Sequence, residues 1–143
     1  PVVGSSGIVG LHNEPLVKSP GIVVGRKGTI GKVIWLDEDF YPIDTTFFIA
    51  DRLVVDGLYF HFYLLLNQDF NKISSDSAVP GLNKNQGLTN PIICPDINLI
   101  KQFNTLVEPI FKKKYLNNKE VKTLTLMRDA LLPKLMTGKI RVA

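Results

Sequence analysis

Residues 95–132 of the chain have the sequence PDINLIKQFNTLVEPIFKKKYLNNKEVKTLTLMRDALL. Apolar residues recur here at alternating spacings of three and four, and polar residues fill three positions of the same seam. The apolar set is Ile100, Phe103, Val107, Ile110, Val121, Leu124 and Leu131, and the polar set is Lys114, Asn117 and Arg128. This spacing is typical of a helix that pairs with a second helix. Some 35 helical residues would span roughly 50 Å, more than the width of a small domain. The stretch predicts one long, protruding C-terminal helix that pairs as a coiled coil.

The flanking residues support helix limits close to these. Asp96 can cap the first turn, and Gly138 suits a chain that leaves the helix. Pro109 removes a backbone donor and clashes with the preceding turn, so we expect a kink or a break near Leu106, and we favour one bent helix. The alternative is a C-terminal helix that folds back on its own domain.

Composition bounds the rest of the protein. The chain has 143 residues, 45% of them apolar, which suits one modest domain with an appended element. The single cysteine, Cys94, excludes an internal disulfide and fits a reducing cytoplasm. Neither a membrane span nor a signal peptide is recognisable, so we expect a soluble cytoplasmic protein without a membrane partner. Because the chain begins at Pro1, we expect its domain to lack an N-terminal part.

Charge is unevenly distributed along the chain. Residues 1–95 carry seven Lys and Arg against nine Asp and Glu, whereas residues 96–143 carry ten against four. The basic character therefore belongs to the helix and tail. Any nucleic-acid contact by the globular part must rest on local clusters of cations.

Local patterns predict an α/β domain of the α+β kind, with mixed strands, at residues 1–94, followed by the helix and tail at 95–143. Two short strands joined by a tight turn are expected in Pro1–Gly10, and a hairpin in Ile22–Gly25 and Thr29–Leu36. The other expected elements are strands at Phe47–Ala50 and Leu53–Val55, a buried helix at Leu58–Asn67, a long loop at Asp69–Asn90 and a short strand at Pro91–Pro95.

The stretch Gly25–Gly31 superficially suggests a phosphate-binding loop. Its G-x-x-G-x-x-G spacing is neither the dinucleotide fingerprint nor a Walker loop, and a strand is expected to follow it. A hairpin tip that carries Arg26 and Lys27 between glycines is better suited to contact a nucleic-acid backbone or base edge. The alternative is an ordinary hairpin whose glycines adopt positive φ.

Catalytic patterns are weak in this sequence. His61 lies in an apolar run, where a hydrogen-bonded core histidine is the commoner role, and Cys94 has no nearby basic activator. No metal-ligand spacing is present, and Asp37, Glu38 and Asp39 are typical of an acidic turn. We expect a protein that is not an enzyme and has no cofactor or metal of its own.

Five segments together resemble a known family. Taken in chain order, they are Gly4–Gly10, Gly25–Gly31, Asp44–Phe47, Ala78–Asn83 and Leu126–Val142. Each is weak alone, but in this order they resemble the specificity subunits of type I restriction-modification systems.

The resemblance implies both a fold and a set of partners. It implies a target recognition domain of mixed α/β fold that reads one half of a split double-stranded DNA sequence. It also implies a long helix that packs against its counterpart from a second copy or the other half of the subunit, and that docks the methyltransferase subunits. The restriction subunit would join through the complex, and S-adenosylmethionine and ATP would belong to those other subunits. Members of the family carry two recognition domains and two helices, so one of each implies a C-terminal half or a half-subunit.

Candidate residues follow for both roles. For DNA contact we expect Arg26, Lys27, Ser77, Asn83, Lys84 and Asn85, with Ser5, Ser6 and Asn13 as further candidates. For helix pairing we expect Phe103, Val107, Ile110, Val121, Leu124 and Leu131. Two rival hypotheses stay open, namely a coiled-coil assembly protein that binds no DNA and a small nucleotide-binding enzyme that uses the glycine loop.

Overall fold

The computed structural model describes residues 1–143 except 52–53, 55–56, 74–80 and 141–143. It divides into two compact units, the first ending at Leu106 and the second beginning at Val107. Within the described part of the chain, no helix is long and apolar enough to cross a membrane.

The first unit combines short strands with helices. Its strands form two sheets, with the orders β2-β1-β5 and β4-β3-β6. The strands are β1 (Val2–Gly4), β2 (Gly7–Gly10), β3 (Gly21–Gly25), β4 (Val33–Leu36), β5 (Tyr41–Pro42) and β6 (Thr46–Ala50). The helices are α1 (Leu58–Leu66), a 3-10 turn (Phe70–Ile73), α2 (Lys84–Leu88) and the beginning of α3 (Ile97–Met136). The predicted combination of mixed strands with a long C-terminal helix is thus confirmed.

Both predicted hairpins are present, although the return strand of the second begins at Val33 and not at Thr29. Strands β1 and β2 pair antiparallel across a tight turn, with Gly4 opposite Gly7, and β5 lies parallel to β1 on its other side. In the second sheet β3 is central, with β4 and β6 antiparallel to it on its two sides. Strand β6 corresponds to the strand predicted at Phe47–Ala50.

Strand β3 is buried along its whole length, and its side chains enter two separate apolar clusters. Val23 packs with Val3, Val17, Leu36, Phe40 and Ala50. Ile22 and Val24 pack with Leu58, Phe70 and Leu82. Because successive side chains of a strand point to opposite faces, this one strand joins both clusters into a single core.

Helix α1 occupies the predicted apolar run, but only part of it is buried. Leu58 is buried, Phe62 and Leu65 pack on the β3 face, and Tyr63 and Leu66 are exposed. The expectation of a buried helix is therefore corrected to a helix with one buried face. Its first turn is capped from elsewhere in the chain, because the side-chain oxygen of buried Asn104 accepts a hydrogen bond from the Phe60 N–H at 2.8 Å.

Two predictions around this helix are wrong. The loop expected at Asp69–Asn90 contains the 3-10 turn and α2, held by buried Phe70 and Leu82. No strand forms at Pro91–Pro95, where both prolines lack the N–H that a strand ladder needs. The strand predicted at Leu53–Val55 falls largely outside the described residues.

Helix α3 confirms the predicted long helix and its limits. The Asp96 carboxylate accepts from the Asn98 N–H at 2.8 Å, as an N-cap does. At the other end Gly138 has φ +69°, and its N–H donates to the Leu135 carbonyl at 3.1 Å. Both Pro109 and Pro133 lie inside the helix, so the expected break near Leu106 does not occur and a bend there stays a prediction.

One exposed ion pair ties the segment before β3 to the turn after β4. Lys18 Nζ lies 2.6 Å from Asp39 Oδ2, and the Ser19 N–H donates to Asp39 Oδ1 at 2.9 Å. The hydrogen bond from Lys18, followed by that from Ser19, holds the pKa of Asp39 below its ordinary value.

This pair predicts a pH-dependent contribution to stability. A carboxyl group with a lowered pKa in the folded state stabilises the protein above its unfolded-state pKa and stops doing so as pH falls through the folded-state pKa. Asp39→Asn should therefore lower the Tm slightly at pH 7. The difference in Tm between this variant and the wild type should shrink as the pH falls below the ordinary pKa range of an aspartate. Lys18→Gln should show the same narrowing. Calorimetric melts at a series of acidic pH values test this prediction, and a Tm difference that does not change with pH would contradict it.

Candidate nucleic-acid interface

Four segments far apart in the chain meet where β3 ends. The N–H groups of Arg26 and Lys27 both donate to the Thr45 carbonyl, at 2.8 and 3.2 Å. The Arg26 carbonyl accepts from the Leu82 N–H at 2.8 Å, and Lys27 forms a bridge with Gly81. We call this arrangement the loop cluster, and its segments are Ser5–Ser6, Arg26–Lys32, Asp44–Thr45 and Gly81–Asn85.

Glycines make this close approach possible. A Cβ on Gly25 would lie 2.0 Å from the Thr29 carbonyl oxygen and 3.2 Å from that of Ser5. Gly31 has φ +72°, and a Cβ there would lie 2.6 Å from the Phe70 Cβ. The Gly25–Gly31 motif therefore packs a tight loop against its neighbours, and it leads into strand β4 and not into a helix that could bind phosphate at its N-terminus.

Arg26 is half-buried and partly committed to packing. Its guanidinium carbon lies 5.4 Å from the centroid of the Phe47 ring, in cation–π geometry, and Phe47 itself packs on the core. Stacking uses the face of the guanidinium and leaves N–H groups at its edge for hydrogen bonds. The predicted contact residue is thus held in one orientation.

Lys27 lies at the centre of the loop cluster. Its side chain is 47% exposed, and Nζ lies 3.6 Å from Asp44 Oδ2, whose side chain is 79% exposed. Asp44 was not among the predicted contact residues, although it begins the Asp44–Phe47 segment of the resemblance. Lys32 was also missed, and its Nζ donates to the Ser6 carbonyl at 2.7 Å.

The structure separates the roles of the two asparagines at α2. The side chain of Asn83 accepts from the Asn85 N–H at 2.9 Å and caps the helix. Lys84 and Asn85 are exposed on the first turn. Since one lone pair of the Asn83 oxygen is used in the cap, Asn85 is the better candidate for a two-point contact with a base edge.

Of the other predicted contact residues, some lie in the loop cluster and some do not. Ser5 and Ser6 form its β1–β2 turn. Asn13 follows the other end of β2, close to His12, whose ring lies 5.2 Å from that of Tyr41, so the structure does not bring Asn13 to the loop cluster. Ser77 lies outside the described residues.

Residues considered for catalysis have ordinary surroundings. His61 is half-buried, and its Nδ1 lies 3.0 Å from the Gly57 carbonyl oxygen. Cys94 is an exposed free thiol. Among the residues that the structure describes, no three or more His, Cys, Asp or Glu side chains are grouped so as to hold a metal.

The helix-pairing candidates also occupy different environments. Phe103 is half-buried in the first unit, where its ring lies 6.2 and 5.8 Å from those of Phe60 and Tyr63. It also lines an open apolar groove of about 630 Å³, together with Ile92, Ile93 and Leu99. Phe103 thus packs on its own domain, which accounts for its apolar character without a second helix.

In the second unit the apolar seam is largely exposed. Val107 is half-buried. The exposed fractions are 64% for Ile110, 61% for Val121, 55% for Leu124 and 42% for Leu131. This seam has the composition of a buried helix face and the exposure of a free surface.

No family model matches this sequence. The chain is, however, similar to a curated protein, the type I restriction enzyme MjaIX specificity subunit of Methanocaldococcus jannaschii. The two are 31% identical over 97 residues, which cover 66% of this chain and 22% of the relative. The chain therefore spans about a fifth of the length of that relative. This similarity supports the resemblance to type I specificity subunits at the family level.

The packing of Gly31 leads to a testable prediction. Gly31→Ala should destabilise the protein by about 2 kcal/mol or more, because it combines a positive φ with a steric clash against Phe70. Gly10→Ala is the matched control, since a Cβ at Gly10 would have no neighbour within 4 Å. Urea denaturation measures both. Equal stabilities of the two variants would show that the loop does not need glycine at residue 31.

Proposed function

We propose that this chain is the DNA sequence-recognition part of a type I restriction-modification specificity subunit. In this proposal the loop cluster reads one half of a bipartite target, and α3 docks the methyltransferase subunits. The main observation that supports this proposal is where the fold places the segments that resemble the family. Three of the segments that resemble the family, and the described end of a fourth, meet in the loop cluster. The 31% identity to a specificity subunit supports the same assignment.

The charge of the loop cluster favours a polyanionic ligand. Arg26, Lys27, Lys32 and Lys84 give it a local excess of positive charge over Asp44, although residues 1–95 as a whole carry more acidic than basic side chains. Such a cluster attracts DNA phosphates while the rest of the domain does not.

Each cluster residue has a role that suits its chemistry. Exposed Lys84 suits a phosphate contact, which positions the domain on the duplex. The edge of the Arg26 guanidinium suits guanine, and the Asn85 amide suits adenine. Tight backbone pairing between the segments would hold these groups in register for recognition.

Helix α3 supplies the assembly role. Its exposed seam, which includes Ile110, Val121 and Leu124, would pack against the same helix of a second copy or against the other half of the subunit. Other exposed positions would contact the methyltransferase subunit, and the restriction subunit would join through that complex. The chain itself would be non-catalytic, with S-adenosylmethionine and ATP bound by its partners.

An assembly protein that binds no DNA is the alternative, and the exposed seam of α3 favours it as much as it favours the proposed function. A nucleotide-binding enzyme is the less supported rival, because Gly25–Gly31 precedes strand β4. A rise in Tm on addition of ATP, GTP or NAD would support such an enzyme.

The DNA-binding role predicts the effect of removing the central cations. Arg26→Ala and Lys27→Ala, each made in the chain bound to the methyltransferase subunit of the same system, should weaken binding to a pool of duplex DNA about tenfold. Lys18→Ala is the matched control, because it removes one positive charge near the start of β3, whereas the loop cluster lies at its end. Fluorescence anisotropy at fixed salt measures the affinities.

Three outcomes are distinguishable. A selective loss in the two cluster variants supports DNA recognition. Equal losses in all three variants would indicate an effect of net charge alone and would overturn the contact assignment. If neither the wild-type complex nor any variant complex binds DNA, the result favours the alternative, an assembly protein that binds no DNA.

The seam makes a second prediction. Val121→Asp should disrupt helix pairing, because a buried, unpaired carboxylate is costly. Leu126→Asp is the matched control, since Leu126 is 71% exposed and lies about 140° around the helix from Val121. Light scattering of the chain alone measures helix pairing, which Leu126→Asp should leave unchanged. If both variants assemble like the wild type, the seam is not a pairing surface.

A further inference from the structure

An exposed carboxylate lies in the middle of the proposed DNA-binding surface. Asp44 is 79% exposed and lies next to Lys27. A carboxylate at this position repels DNA phosphates, so it opposes non-specific binding to the backbone. Its chemistry suits another contact, because a carboxylate accepts hydrogen bonds from base amino groups such as cytosine N4.

The backbone holds Asp44 and Lys27 side by side. Thr45, the residue after Asp44, accepts hydrogen bonds from the N–H groups of both Arg26 and Lys27. Lys27 is also bridged to Gly81 from another segment of the cluster. The two side chains therefore start from fixed neighbouring points, with their charged atoms 3.6 Å apart.

Three other polar groups of the cluster already have structural tasks. Arg26 stacks on Phe47, Lys32 donates to the Ser6 carbonyl, and Asn83 caps α2. The Lys27–Asp44 pair, in contrast, is exposed at both ends. An exposed ion pair contributes little to stability, so little is lost when the two groups separate to contact a ligand.

The pattern of the pair matches one base pair. In the major groove a C·G pair presents the cytosine N4 donor beside the guanine O6 and N7 acceptors. Cytosine N4 and guanine O6 are hydrogen-bonded to each other, so they lie about 3 Å apart, close to the separation within the ion pair. A carboxylate beside an ammonium group is complementary to this arrangement.

We propose that Lys27 and Asp44 together read one C·G base pair, with Asp44 accepting from cytosine N4 and Lys27 donating to guanine O6 or N7. Asp44 is then a specificity-determining residue and contributes little to overall affinity. This inference rests on the proposed DNA-recognition function and adds a reader that the sequence did not indicate.

The test separates specificity from affinity. The chain in complex with its methyltransferase subunit selects duplexes from a randomised pool, and the bound sequences are counted for the wild type, Asp44→Ala and Lys84→Gln. The wild type should select C·G at one position. Asp44→Ala should bind the pool within about threefold of the wild type, or more tightly, and lose that preference by tenfold or more. Lys84→Gln should bind all sequences more weakly and keep the wild-type preference.

Each other outcome contradicts a different claim. If the wild type binds no DNA, the proposed function itself fails. If the wild type selects a sequence and Asp44→Ala selects the same one, the function stands and the Asp44 assignment is overturned. If the wild type selects A·T at the position where Asp44→Ala loses its preference, the assignment of a C·G pair is overturned. Because Asp44 is exposed, thermal melts of the variant should match the wild type, which confirms that any change is local.

Discussion

The first unit depends on the burial of β3 on both faces. Ile22 and Val24 fill the cluster under α1, and Val23 fills the cluster beneath the first sheet. Both edges of the strand are hydrogen-bonded as well, to β4 and to β6. A shift of register by one residue would exchange the two faces and disrupt both clusters together, so the position of this strand is strongly specified. The two sheets and α1 are placed relative to it.

The position of the loop cluster is determined by this strand. Arg26 and Lys27 directly follow Gly25, the last residue of β3, so the register that buries Val24 also determines where they leave the sheet. Their N–H groups then bond to Thr45, which immediately precedes β6. A charged surface with little burial of its own is thus positioned by the most buried strand of the domain. Exposed side chains of the loop cluster, such as those of Lys27 and Asp44, can therefore vary chemically at small cost to stability, whereas Gly25 and Gly31 cannot.

Local signals predicted a good part of this architecture, and long-range contacts account for the rest. The hairpins and the long helix have patterns that extend over consecutive residues, so the sequence indicates them directly. Asp44 and Lys32 were missed because their relation to Lys27 and Ser6 arises only when separate segments pair. Helix α2 was missed because five residues are too few to display a helical period. Phe103 shows the limit of periodicity, which indicates that a face is buried but not which element covers it.

The seam of α3 illustrates how one apolar period can serve two purposes. In the first unit it places Phe103 against the rings of α1, and in the second it leaves Ile110, Val121 and Leu124 exposed. Burying such side chains contributes roughly 1.5 to 3 kcal/mol each, which would offset part of the entropy cost of association with another helix. Lys114, Asn117 and Arg128 occupy the same seam and resist burial unless a partner supplies polar groups opposite them. In the proposed pairing, the apolar positions would favour association in general, and the polar positions would restrict it to a matching helix in one register.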